Sequence, residues 1–107
     1  MKELKAHLSK LNQSQLSLFN LIVRNCTDWY LNEKQGAFLK LSNVSLEHLN
    51  EIGIKENFDA ILKHPTFMYY FEKVKKTEEK NIWTFYFKSD FDSIINMYKN
   101  NLTDNNG

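Results

Sequence analysis

One cysteine, Cys26, leaves this chain without an internal disulfide and suits a reducing compartment. One proline and three glycines, at 36, 53 and 107, leave few abrupt turns and no glycine-rich loop to cradle a phosphate. No apolar run approaches the roughly 18 residues a membrane span needs, and the opening Met-Lys-Glu-Leu-Lys-Ala-His-Leu is charged and helix-patterned, unlike a signal peptide. His7, His48 and His64 stand apart from one another and from Cys26, so no metal-ligand spacing exists. Neither sign of charge dominates, with 14 Lys+Arg against 13 Asp+Glu. These scarcities predict a cytoplasmic protein without cofactor, metal or membrane partner.

What is present is enough for one core. The 107 residues are 42% hydrophobic, which predicts a single domain over 1–102 and a frayed tail at 103–107. Leu4, Leu8 and Leu11 mark an amphipathic helix over about 2–11. Asn12 with Gln15 reads as a capping box for a second helix, on which Leu16, Phe19, Val23 and Cys26 form an apolar stripe widened by Leu18 and Ile22. Trp29 and Tyr30 near its end either close the core or anchor a homodimer. After a polar turn at 32–36, Ala37 to Leu41 reads as a short strand.

Ser42, Asn43 and Ser45 are competent caps for a helix carrying Leu46, Leu49 and Ile52 and ending at Gly53, where positive φ lets the chain reverse. A second helix follows, with Phe58, Ile61 and Leu62 inward and Pro65 ending it at His64 before an extended segment. Phe67–Phe71 and Ile82–Phe87 then read as aromatic strands around a polar loop at 75–81, holding eight of the fifteen aromatics. Ser89 with Asp92 suggests a capping box opening a last helix with Ile94, Ile95 and Tyr98.

Two short helices about a glycine turn, then a basic hairpin, form a nucleic-acid-binding layout. The second helix of such a pair enters the major groove. That predicts Lys55, Asn57, Lys63 and His64 as DNA contacts, with Asn57 able to pair with adenine and Lys55 with guanine or phosphate. Lys73, Lys75, Lys76, Thr77 and Lys80 lie at or near the hairpin tip, where lysines would neutralise phosphates. Residues 55–88 hold seven lysines against five acids, so charge favours this region only slightly, and Glu78 and Glu79 dilute the tip. An ordinary helical hairpin with a solvated flank fits the same pattern. His48 departs from it, because a leucine usually stands five residues before the glycine.

Catalysis is poorly supported. The Tyr69-Tyr70 pair lacks the paired histidines a strand-nicking tyrosine needs, and strand aromatics are ordinarily core. Asp90 and Asp92 are explained by helix capping and the dipole, and Cys26 lies on a buried stripe where thiols are inert.

Leu49-Asn-Glu-Ile-Gly-Ile54, Phe58-Asp-Ala-Ile-Leu62 and the 67–87 hairpin together resemble the winged helix-turn-helix superfamily over about 13–100. The implied fold is α+β: helices, a short strand, a C-terminal β-hairpin wing and a final helix. With an Asn/Lys/Ile-rich composition, the chain looks most like the TcpK-like accessory proteins of conjugative-plasmid relaxosomes. That resemblance implies a homodimer on double-stranded DNA at origin-of-transfer repeats, working with a relaxase or another replication or transfer protein. A transcriptional repressor, a replication initiator domain and an adaptor binding host machinery share the same layout.

Overall fold

Leu4 and Leu8 lie one turn apart on α1 (Lys2–Leu8) and both are buried, so an apolar edge holds this short helix. The structure, a computed structural model, describes residues 2–26, 28–32, 37–77, 79 and 81–106, and the side chains of 4–26, 40–77, 79 and 81–102. α2 (Gln13–Arg24) starts where its sequence signal places it. Gln15 N donates to Asn12 Oδ1 at 2.8 Å and Asn12 N to Gln15 Oε1 at 3.0 Å. Leu18, Phe19, Ile22 and Val23 are fully buried and make α2 the spine of the core. The Lys99 ammonium donates to the Cys26 carbonyl at 2.6 Å, just past the end of α2, where the helix dipole favours a cation.

Four antiparallel strands form one sheet, in the order β1 (Asp28–Asn32), β2 (Ala37–Ser45), β4 (Ile82–Phe87), β3 (Phe71–Thr77). The architecture is therefore mixed α+β. β2 extends past Leu41 because residues 41–45 pair with β4, from Leu41 opposite Tyr86 to Ser45 opposite Ile82. Ser42 and Asn43 are thus strand residues rather than caps. Residues 28–32 form a strand absent from the sequence reading, which placed Trp29 and Tyr30 at the end of a helix. Their pairing with 37–41 supplies the reason. The dimer reading of Trp29 and Tyr30 concerns side chains outside those described.

Ser45 is the residue that caps α3 (Leu46–Glu51). Its Oγ accepts from His48 N at 3.2 Å, and His48 Nδ1 accepts from Ser45 N at 3.2 Å. The His48 imidazole thus closes a capping box, and buried Leu49 takes the core position beside it. Gly53 has φ +69°, the left-handed conformation expected of it at the turn.

Beyond Gly53 the continuous helix predicted to residue 64 is shorter. A 3-10 turn at Lys55–Asn57 leads into α4 (Phe58–Leu62). His64 is extended as Pro65 demands, but the chain then re-enters helix at α5 (Pro65–Met68). Proline at the first position of a helix loses no hydrogen bond, since that N–H has no partner within the helix. Phe67, fully buried, thus packs from a helix, and β3 starts only at Phe71. Lys73, Lys75, Lys76 and Thr77 consequently belong to a strand and not to a loop.

The Ser89–Asp92 capping box is not formed. Residues 89–91 make a 3-10 turn into α6 (Asp92–Asn106), and Asp92 Oδ1 is buried without a hydrogen-bond partner. Burial raises the Asp92 pKa above the ordinary aspartate value, while the buried Lys40 partly opposes the rise. A carboxyl with a raised folded-state pKa binds its proton more tightly in the native state. Its contribution to stability therefore falls as pH rises from the unfolded value through the folded one. In urea unfolding from pH 3 to 7, Asp92→Asn should gain stability relative to wild type as pH rises. Parallel profiles for the two proteins would contradict this.

Candidate nucleic-acid interface

Strand alternation sorts the hairpin side chains onto two faces. Phe85 and Phe87 on β4 and Ser42 and Val44 on β2 are fully buried beneath the helices. Phe58 of α4 packs edge-on against Trp83, with ring centroids 4.9 Å apart, and against Phe85 at 6.4 Å. Trp83 therefore shares the helix-covered face with Phe85. Lys76 lies opposite Trp83 and holds its ammonium over that ring, 5.3 Å from the centroid. One indole thus joins α4 to the hairpin and positions a lysine beside the junction.

Lys73, Lys75 and Thr77 lie opposite Tyr86, Thr84 and Ile82, the other parity of β4. A register shift between Phe71 and Lys73 produces this, Glu72 being the extra residue of a β-bulge. In an unbroken strand Lys73 and Lys75 would share the face of buried Phe71. The Lys73 and Lys75 ammonium groups sit 4.8 and 5.9 Å from the Tyr86 centroid. Asn43, on the same face of β2, accepts a 2.7 Å hydrogen bond from the Thr84 hydroxyl.

The anticipated DNA contacts therefore divide. Lys55, Asn57 and Lys63 are exposed around α4, alternating with exposed Glu56 and Asp59, so formal charge on this flank cancels. His64 is only half-exposed and its Nδ1 is buried without a partner, which turns that nitrogen away from a surface ligand. Lys76 lies on the α4 side of the hairpin, while Lys73, Lys75 and Thr77 lie on the opposite side. Lys80 falls outside the described residues. Tyr86 was not singled out in the sequence, where it reads as one more hairpin aromatic. Its opposite parity to Trp83, Phe85 and Phe87 was the available signal.

The tyrosine pair also separates: Tyr70 is buried, whereas Tyr69 is 50% exposed. His7 lies against both, 4.9 Å from each ring, with Nε2 2.9 Å from the Thr66 carbonyl. Lys88 places its ammonium 5.3 Å from the Tyr69 centroid. Among the described residues, no group of three or more His, Cys, Asp or Glu could hold a metal ion, and no helix is long and apolar enough to cross a membrane. No family model, curated protein or solved structure matches this chain.

Proposed function

We propose that the chain is a non-enzymatic winged helix-turn-helix protein that binds double-stranded DNA sequence-specifically. The observation that carries this reading is the Phe58–Trp83–Lys76 stack, which braces the helix after the glycine turn against the hairpin. Residues 55–62, a 3-10 turn running into α4, span about 12–14 Å, comparable with a major groove roughly 12 Å wide. In this reading Asn57 reads a base edge, Lys55 and Lys63 flank it, and Lys76 takes an adjacent phosphate. The resemblance to relaxosome accessory proteins extends the proposal to a cytoplasmic homodimer on origin-of-transfer repeats of a plasmid or mobile element.

Duplex binding measured by fluorescence anisotropy at several salt concentrations tests it. Lys76→Ala should weaken binding to all sequences and lower the log–log salt slope by about 0.9, one phosphate's worth. Asn57→Ala should relax preference at one base position, costing roughly 1–3 kcal/mol there. A second reading, a protein-binding adaptor, is favoured by the cancelled charge on the α4 flank. Absence of salt-dependent duplex binding would select it.

A further inference from the structure

We propose that the open face of the sheet binds single-stranded nucleic acid, with Tyr86 stacking on an unpaired base and Lys73 and Lys75 meeting its phosphates. The helices cover one side of the sheet, where Ser42, Val44, Phe85 and Phe87 are fully buried. On the other side Leu41, Asn43, Thr84, Tyr86, Lys73 and Lys75 are all exposed or half-exposed. The strand positions on this face hold two lysines against one acid, Asp28, which pairs with Leu41 at the far side of β2, whereas charge on the α4 flank cancels, so this face favours a phosphate chain more.

Both lysine ammonium groups already rest over the Tyr86 ring. A base stacking on that ring replaces an exposed cation–π contact with a stronger interaction and sends the ammonium groups outward to phosphates. The Asn43 amide and Thr84 hydroxyl, two residue pairs along the strands and next on this face, offer polar groups beside the ring. A duplex fits poorly here, because stacking needs a base released from its pair and the face of a four-stranded sheet is broader than the two-stranded ribbon a major groove admits. A second copy fits poorly too. Two-fold docking through this face would gather four lysines, two from each copy, into one interface and desolvate them. This surface is separate from the Phe58–Trp83–Lys76 stack, and the two readings fail separately.

The test is anisotropy with a labelled oligothymidylate, an abasic strand of equal length and a duplex. Wild type should bind the oligothymidylate at least about tenfold more tightly than the abasic strand. Tyr86→Leu should remove that difference and leave duplex affinity unchanged. Lys73→Gln with Lys75→Gln should weaken both single strands and reduce the salt slope by about 1.4, two phosphates' worth. Equal binding of thymidylate and abasic strands by wild type overturns the proposal, as does thymidylate binding untouched by Tyr86→Leu. Should Tyr86→Leu lose its native circular dichroism, the abasic comparison and the lysine pair decide alone. If the lysine substitutions instead shift a monomer–dimer equilibrium in sedimentation and leave single-strand binding intact, the occupant is a second copy and the proposal falls. Lys76→Ala, on the opposite face, should affect the duplex only.

Discussion

Phe19→Ala is expected to lower the unfolding free energy by about 3–5 kcal/mol, the cost of emptying a large, fully enclosed aromatic site. Phe19 ties four segments together. Its ring meets Phe67 of α5 at 6.4 Å, Tyr70 at 5.7 Å, Phe71 of β3 at 6.1 Å and Tyr98 of α6 at 5.8 Å. These contacts are edge-on or tilted, the arrangements in which aromatic quadrupoles attract. Rigid rings on every side cannot collapse into the vacated volume, which places the loss toward the upper end of that range. Against a typical total of about 5–15 kcal/mol, a loss near 5 kcal/mol removes about a third or more of the stability. A shift in the urea midpoint measures the loss. A cost below about 1 kcal/mol would mean that α2 does not anchor these elements.

On the proposed duplex-binding reading, Trp83→Ala is expected to reduce duplex affinity about 10–100-fold. The substitution removes the surface that Phe58 docks on and the ring over which Lys76 is held. A misplaced charge-assisted phosphate contact accounts for roughly 1.5–3 kcal/mol, which is that fold-change. The protein should remain folded, since Trp83 is half-exposed and Phe85 beside it keeps its own packing. Trp83→Phe, which keeps a ring in place, should recover most of the affinity. Unchanged binding and an unchanged salt slope for Trp83→Ala would show that the brace does not set the interface.

How far the sequence reaches is visible residue by residue. Asn12 with Gln15, and the turn at Gly53, were legible because the hydrogen bond or φ angle involved is settled within four residues. The capping role of His48 was hidden because a histidine in that position mimics glutamine only when its Nδ1 faces the cap nitrogen. Pro65 announced the break at His64 correctly. It gave no sign of the helical turn that follows, since proline is equally at home in an extended segment and at the first position of a helix. Ser89 and Asp92 had the spacing of a cap, yet residues 89–91 take a 3-10 turn that puts Ser89 inside a helical turn rather than at its start.

The candidate surfaces show the same division. Exposure of Lys55, Asn57 and Lys63 follows from the helical period about Phe58 and Ile61, so that flank was readable. The hairpin lysines looked like one basic cluster, whereas they occupy two faces.

From the chain alone came the class of the architecture, the two capped helices, the glycine turn and the aromatic strand at Ile82–Phe87. Each rests on short-range periodicity and local hydrogen bonding. Tertiary structure alone decided that residues 28–32 pair as a strand, that β3 waits until Phe71, and that Lys73 and Lys75 part company with Lys76. Strand formation depends on partners distant in the chain, and the parting of the lysines on the register shift at Glu72. One extra residue reverses the parity of everything after it, and whether a strand takes that residue depends on the packing of Phe71 against Phe19 of α2 and against Phe87 across the strands, contacts that local sequence does not encode.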